Sequence, residues 1–235
     1  MDQQTIGLTQ KDKKMLDIKN MLQVYFIAGT QDCLHLGDNK KANLLYILEE
    51  ALKNGITCFQ FREKGKNSLQ DKEEILDLAK KAGALCKKYD VAFFINDDIE
   101  LALKLNATGI HIGQDDKDVN EVIKMIDGKL ILGLSINTLD QAIKAKDIQG
   151  IDYFGVGPIY DTTSKSDAKK TVGLDLIKDI RAKNISKPLV AIGGIDEFRA
   201  KDVLKCNCDG VAIISAITKS KNIKQTIKNL KKEEV

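Results

Sequence analysis

The chain has 235 residues, 43% hydrophobic and 30% charged, which is enough apolar material for one large core. Its 37 Lys and Arg against 34 Asp and Glu leave a net charge of +3, without a basic block, which argues against a nucleic-acid partner. Two His residues argue against a His-rich metal centre, and the five Cys residues fit neither a disulfide framework nor a zinc motif. Since no apolar run has transmembrane length and no apolar leader is present, we expect a soluble cytoplasmic protein without a membrane partner.

Short apolar runs alternate with amphipathic stretches along most of the chain. The first 20 residues are polar and predict an accessory helix or a loose arm, followed by a single domain over 21–235. Strands are predicted at 22–28, 56–61, 91–95, 108–112, 130–134, 153–156, 189–192 and 210–214. Helices are predicted at 42–53, 68–88, 98–105, 119–126, 138–146, 174–183, 197–205 and 216–232. Eight strand–helix pairs predict an α/β fold of the (β/α)₈ TIM barrel type, and a doubly wound open sheet is the alternative.

Polar side chains stand at the end of the second predicted strand. Side chains alternate across a strand, so Gln60, Arg62 and Lys64 share one face. An amide, a guanidinium and an ammonium at the end of an apolar run are more typical of an anion site than of a core. A solvated surface cluster is the alternative, and it fits Lys64 better than Arg62.

Acidic residues follow the third and fourth predicted strands. Asn96, Asp97 and Asp98 follow strand three, and Asp115 and Asp116 follow strand four. One acid of each group is expected to cap the next helix, with Asp97 or Asp98 doing so in the first. The remaining carboxylates would lie near a common point, where Mg²⁺ can be held by one or two carboxylates together with phosphate oxygens.

The later strand ends carry hydroxyl groups and glycines. Ser135 follows strand five, and a long polar loop at 161–167 follows strand six. Gly193 and Gly194 end strand seven, and Ser215 is expected to open the last helix. Loops after strands seven and eight of such barrels often bind a phosphate. Two anion sites at one end of the barrel predict either a bisphosphorylated ligand or two phosphorylated substrates.

Seven short segments together carry a family resemblance. They are QFREK at 60–64, INDD at 95–98, GIHIGQDD at 109–116, GLS at 133–135, GVGPIY at 155–160, IGGI at 192–195 and ISAI at 214–217. In this order, over about residues 24–217, they resemble the thiamine phosphate synthase (thiamine-phosphate pyrophosphorylase) family. That family is a group of Mg²⁺-dependent TIM-barrel transferases that join a pyrimidine methyl diphosphate to a thiazole phosphate and release diphosphate.

The resemblance implies roles for thirteen residues, four of which are expected to be catalytic. The pyrimidine diphosphate would be held by Gln60, Arg62, Lys64, Asn96, Ser135 and Lys165. The thiazole phosphate would be held by Thr162, Ser164, Gly194, Ile214 and Ser215. Mg²⁺ would be bound by Asp97 and Asp116, and the catalytic residues would be Arg62, Lys64, Ser135 and Lys165. The implied chemistry is dissociative: diphosphate leaves first, and the neutral thiazole nitrogen then captures the pyrimidine methyl cation.

The chain departs from the family pattern at two places. Asn137 stands where the family usually has His, and the strand-six loop reads DTTSK at 161–165 where the family has Pro-Thr-x-Thr-Lys. His111 is expected to be a packed barrel residue, with a pocket wall as the alternative. Competing functions are a thiazole tautomerase-like barrel and a non-catalytic phosphate-binding barrel. The sequence allows a homo-oligomer and does not decide it.

Overall fold

The computed structural model describes residues 10–164 and 169–231, and within them eight parallel strands close into a barrel. The strands are β1 Val24–Ala28, β2 Cys58–Phe61, β3 Ala92–Asn96, β4 Gly109–Ile112, β5 Ile131–Ile136, β6 Tyr153–Val156, β7 Leu189–Ile192 and β8 Gly210–Ile213. Each strand pairs with its neighbour in sequence, and β8 returns to β1, with Ala212 opposite Tyr25. Because the sheet has no open edge, the TIM-barrel prediction is confirmed and the open doubly wound sheet is excluded.

Ten α-helices lie in the described part of the chain. They are α1 Gln10–Met21, α2 Lys40–Lys53, α3 Lys72–Lys88, α4 Ile99–Lys104, α5 Val119–Ile126, α6 Leu139–Ala145, α7 Asp175–Ala182, α8 Ala200–Leu204, α9 Ser215–Thr218 and α10 Ile223–Leu230. Two 3₁₀ turns, Thr30–Asp32 and Leu34–Leu36, follow β1 and were not predicted. None of the helices in these ranges combines the length and the hydropathy that a membrane-spanning helix needs.

Helix caps explain where the predicted boundaries were wrong. The helix predicted from residue 68 begins at Lys72, because the Asp71 carboxylate accepts hydrogen bonds from the first-turn amides of Glu73 and Glu74. The helix predicted over 216–232 is two helices, because Asn222 caps α10 separately.

The strand side chains divide between two cores. Phe26, Phe59 and Ile95 face outward and pack in the large cluster between the sheet and the helices. Tyr25 and Phe94 face inward, in a smaller cluster that fills the barrel. This alternation is what the period of two predicts, and it brings Gln60 into the barrel interior, where it is 1% exposed.

The first helix packs against the amino-terminal end of the barrel. Ile18 of α1 and Leu22 after it are buried in the cluster inside the barrel. Lys14 forms an ion pair with Asp152 at 2.9 Å, and Lys19 forms one with Asp209 at 3.4 Å. Both Asp residues directly precede strands, so α1 covers the end of the barrel opposite to the strand ends that carry the predicted site.

Candidate functional site

A cavity of about 310 Å³ opens at the carboxyl ends of the strands. A second cavity, of about 400 Å³, lies beside it and shares part of its wall. Eight of the thirteen predicted site residues line the first cavity: Lys64, Asp116, Ser135, Thr162, Ser164, Gly194, Ile214 and Ser215. Arg62 lines the second cavity together with Lys64. The structure therefore brings residues from the ends of β2, β4, β5, β6, β7 and β8 to one region.

Two carboxylates meet one ammonium at the ends of β2, β3 and β4. The Lys64 ammonium lies 2.5 Å from Asp97 Oδ2 and 3.6 Å from Asp116 Oδ1. The backbone N–H of Gly113 donates to Asp116 at 2.8 Å, which fixes that carboxylate. Within residues 10–164 and 169–231, no group of three or more His, Cys, Asp or Glu is arranged to hold a metal. A cation here would therefore have these two protein carboxylates and would need further oxygen ligands from a substrate or water.

The two carboxyl groups have opposite pKa shifts. Burial raises the pKa of Asp97, and the adjacent Asp116 raises it further, against the lowering effect of Lys64. Burial also disfavours the charged form of Asp116, but the Gly113 N–H, Asp97 and Lys64 together outweigh it and lower its pKa. Asp116 is therefore the firmly ionised member of the pair, and Asp97 is the one that protonates first as the pH falls.

Other acids at these strand ends have local structural roles. Asp98 caps α4 by accepting from the Leu101 N–H at 2.9 Å, as one of the two alternatives predicted. The expectation for the next helix was wrong, because α5 is capped by Asp118 and not by Asp115 or Asp116. The helix begins at Val119, as predicted, so its cap position falls on Asp118, past both of the acids that were considered.

Arg62 lies behind the loop that follows β1. It is 4% exposed, and its backbone carbonyl accepts a hydrogen bond from the Gln31 amide at 2.7 Å. The neighbouring Glu63, which sequence reasoning did not single out, accepts from Thr30 Oγ1 at 2.9 Å and from the Leu69 N–H at 2.8 Å. Glu63 thus ties the loops after β1 and β2 together. The sequence could have indicated this role, because the alternation of side chains turns Glu63 to the face opposite to Arg62.

Polar side chains in the barrel interior connect to the cavity wall. Ser135 Oγ lies 3.0 Å from His111 Nε2, and His111 Nδ1 lies 3.0 Å from the Tyr153 hydroxyl. The Tyr153 and Tyr25 hydroxyls are 3.0 Å apart, and Gln60 donates to Tyr25 at 2.8 Å. His111 is a packed, hydrogen-bonded barrel residue, as expected. The two Tyr residues were missed, although a Tyr at an inward position of an apolar strand was a readable signal.

The cavity wall formed by the loops after β6 and β7 has small and hydroxylated groups. Gly194 has φ +62°, and a Cβ there would lie 2.5 Å from the Asp161 carbonyl oxygen, so the backbone approaches closely. Arg199 donates to the Gly194 carbonyl at 2.7 Å, and its guanidinium lies 4.8 Å from the Tyr160 ring centre. The Ser164 N–H donates to Thr162 Oγ1 at 3.2 Å. Arg199 was not recognised from the sequence, because it falls in a stretch predicted as an ordinary helix surface.

The remaining predicted residues have other positions. Asn96 ends β3 opposite His111 and does not line the first cavity. Lys165 lies outside the described residues, whereas Lys169 of the same loop lines the cavity and pairs with Asp115 at 2.5 Å. Asn137, the departure from the family pattern, also lines the cavity and donates to the Gly157 carbonyl at 2.6 Å.

Known proteins resemble this chain along nearly its whole length. The sequence model of the thiamine monophosphate synthase family matches residues 24–217. The thiamine-phosphate synthase of Mannheimia succiniciproducens is 53% identical over 217 residues, covering 92% of this chain and 99% of that protein. That of Listeria welshimeri is 46% identical over 213 residues, covering 91% and 100%. Thiamine phosphate pyrophosphorylase from Pyrococcus furiosus superposes with a TM-score of 0.75 at 30% identity, covering 91% of this chain and 95% of that one. The chain therefore belongs to the thiamine monophosphate synthase family and is a transferase of the thiamine-phosphate synthase type.

Proposed function

We propose that the chain joins 4-amino-2-methyl-5-(diphosphooxymethyl)pyrimidine to a thiazole phosphate in the cavity at the carboxyl end of the barrel, releasing diphosphate. The observation that carries the proposal is the Lys64 ammonium held between Asp97 and Asp116 at the edge of this cavity. A plain phosphate site has no use for two acids beside its cations. A diphosphate bound together with a metal ion needs carboxylates to hold the metal and cationic side chains to bind the phosphate oxygens.

The pyrimidine diphosphate is assigned to the side of the cavity near β2. Lys64 lies on the wall that the two cavities share, and the buried Arg62 lines the second cavity on the same strand end. A buried guanidinium is a strong partner for phosphate oxygens, because its fixed fork makes paired hydrogen bonds. Of the residues that the family resemblance adds, Ser135 lines the first cavity. Gln60, Asn96 and Lys165 complete the proposed substrate-binding set.

Asp97 and Asp116 would hold Mg²⁺. Their fit is supported by their oxygen donors, their proximity and the cation that already lies between them, the Lys64 ammonium. Mg²⁺ is commonly bound through one or two carboxylates plus substrate phosphates. When bound, the ion would neutralise negative charge on the leaving diphosphate. Lys64 would then move from its carboxylate partners toward the diphosphate oxygens.

The thiazole phosphate is assigned to the opposite wall. Thr162, Ser164 and Ser215 offer hydroxyl groups there, and Gly194 exposes backbone at a close approach. Ile214 supplies an apolar surface between the two sides. Neutral donors suit a phosphate that must be bound and released unchanged, whereas the cationic side suits a group on which charge develops.

The reaction needs positioning more than proton transfer. The bond from the pyrimidine methylene carbon to oxygen breaks, and its electron pair leaves with diphosphate. The lone pair of the neutral thiazole nitrogen then forms the new bond to that carbon. No proton has to be removed from the nucleophile, so the reaction does not need the Ser135–His111 hydrogen bond at the cavity wall to act as a nucleophile–base pair.

Arg62→Gln and Ser215→Ala test the two-sided assignment. The first should raise the KM for the pyrimidine diphosphate by at least about tenfold, because a hydrogen bond to a charged group is lost. The second should raise the KM for the thiazole phosphate several-fold. Steady-state formation of thiamine phosphate, with each substrate varied in turn, measures both. The assignment fails if both variants weaken the same substrate, or if each weakens the two substrates equally.

We also propose that the enzyme works in the cytoplasm. All five Cys residues are free thiols, which suits the reducing environment of the cytoplasm. Both proposed substrates are small phosphorylated molecules, and the cavity volume of about 310 Å³ is in the range of small-molecule sites.

A further inference from the structure

A continuous series of side-chain hydrogen bonds crosses the barrel interior and ends at the cavity. It runs from the Gln60 amide to the Tyr25 hydroxyl at 2.8 Å, and from there to the Tyr153 hydroxyl at 3.0 Å. It continues to His111 Nδ1 at 3.0 Å, and from His111 Nε2 to Ser135 Oγ at 3.0 Å. The first three members are buried and Ser135 lines the cavity, so the series links a group that solvent does not reach with one that a ligand does.

The Gln60 amide gives this series a direction. Its Nε2 atom can only donate, so the Tyr25 oxygen accepts. The Tyr25 hydroxyl proton then points to the Tyr153 oxygen, the nearest oxygen acceptor in the hydrogen-bond series. Since the Tyr153 oxygen accepts from Tyr25, its own proton is available for His111 Nδ1.

The same order of donor and acceptor continues through His111. A neutral imidazole that accepts at Nδ1 carries its proton on Nε2, which faces Ser135. Ser135 Oγ therefore accepts from His111, and its hydroxyl proton is left to point into the cavity.

We propose that Tyr25, Tyr153 and His111 are positioning residues that fix Ser135 as a hydrogen-bond donor toward the ligand. The ligand atom opposite Ser135 is then an acceptor, such as a ring nitrogen or a phosphate oxygen. This last consequence rests on the proposed function of the cavity, whereas the direction of the series does not.

Two arrangements compete with this direction. In the present orientation Gln60 Oε1 is buried without a hydrogen-bond partner. Rotating the amide by half a turn would give Oε1 the Tyr25 hydroxyl as its donor and reverse every bond, but it would leave both amide N–H groups without the Tyr25 acceptor, and an unpaired buried N–H is rarer in proteins than an unpaired buried carbonyl oxygen. Alternatively, the Tyr25 proton could turn to the thiol of Cys58, which lies beside it but is a much weaker acceptor than a hydroxyl oxygen. Both alternatives place the imidazole proton on Nδ1 and make Ser135 a donor to His111.

NMR spectroscopy of the free enzyme can determine which nitrogen of the His111 ring carries the proton. The chain has only two His residues, His35 and His111, so protein labelled with ¹⁵N in the imidazole rings gives two ring systems. The variant His35→Gln assigns them. Long-range ¹H–¹⁵N correlation should show His111 with its proton on Nε2. A proton on Nδ1, or on both nitrogens, would overturn the proposal. The measurement needs no substrate, so a failure of the proposed activity would leave its result intact.

Two variants test whether Gln60 sets the direction. In Gln60→Glu, the side chain can donate only while it is protonated, so raising the pH should shift the His111 proton from Nε2 to Nδ1. In the matched variant Ser135→Ala, the proton should stay on Nε2, because the direction comes from the other end. The proposal is contradicted if the His111 tautomer of Gln60→Glu does not change with pH. It is also contradicted if Ser135→Ala moves the proton away from Nε2. Should Gln60→Glu not fold, the measurement on the unmodified chain still decides.

Discussion

Asp97 combines an unusual backbone conformation with an unfavourable charge. Its φ is +61°, a region that Asp and Asn tolerate and that costs other L-residues roughly 1–2 kcal/mol. Burial, reinforced by Asp116, raises its pKa in the folded protein despite Lys64. A carboxyl group whose pKa is raised on folding favours the folded state while it is protonated. That contribution is lost as the pH rises through the raised pKa. At neutral pH the ionised group thus costs stability, which is consistent with a residue kept for binding.

Asp97→Asn should therefore separate stability from activity. The amide keeps the tolerated backbone conformation and removes the charge, so the thermal midpoint at neutral pH should not fall, although activity with Mg²⁺ should be nearly lost. Any gain in midpoint should shrink as the pH is lowered and Asp97 in the unmodified chain becomes neutral. Asp97→Ala should also be inactive, but its midpoint should lie roughly 2–4 °C below that of Asp97→Asn, because both variants lack the charge and Ala costs about 1 kcal/mol more at this φ. Thermal unfolding followed by circular dichroism measures the midpoints. An equal fall in the midpoint of both variants would contradict this prediction.

At the scale of elements, the sequence predicted the strands better than it predicted the connections between them. Apolar runs marked all eight strands, and the period of two correctly turned Gln60 inward. The partner of its amide could not be predicted, because Tyr25 reaches it only through the pairing of β1 with β2. The cap of α5 was predicted wrongly although the helix start was predicted correctly. A helix that begins at residue 119 has Asp118 directly before it, so the position of the cap followed from the predicted boundary.

The loop after β7 has a support that the sequence pattern did not indicate. Arg199, at the start of α8, donates to the Gly194 carbonyl and stacks on Tyr160, so one side chain joins the loops that follow β6 and β7. Both loops line the proposed thiazole phosphate wall. The planar guanidinium suits this double role, and the ammonium of Lys cannot reproduce it.

Arg199→Lys should accordingly weaken one substrate only. We expect the KM for the thiazole phosphate to rise about three- to tenfold and the KM for the pyrimidine diphosphate to stay within twofold, because one hydrogen bond and one stacking contact are lost. Lys205→Ala, at the end of the same helix and paired with Asp202 on the surface, is the matched control and should change neither constant. An equal rise for both substrates would show that Arg199 supports the whole barrel end and not this wall.

At the scale of the whole molecule, stability and function lie at opposite ends of the barrel. The amino-terminal end is covered by α1 through Ile18 and Leu22, with ion pairs from Lys14 and Lys19 at its edge. The carboxyl end carries the cavities and the charged groups. Barrels of this type separate the two in this way, because the loops at the carboxyl end can vary without disturbing the packed interior. Changes to α1 should then act on unfolding and leave the substrates unaffected.

Ile18→Ala tests this separation. Ile18 is 4% exposed against the cluster inside the barrel, so its truncation should cost about 2–4 kcal/mol of unfolding free energy and lower the thermal midpoint by several degrees. Leu16→Ala removes a similar side chain from the same helix, but Leu16 is 47% exposed, and this variant should change stability by less than about 0.5 kcal/mol. Both variants should keep the KM for each substrate, measured well below the unfolding temperature. If Ile18→Ala were as stable as Leu16→Ala, α1 would be a loose arm, and the barrel would be closed at that end by its strand side chains alone.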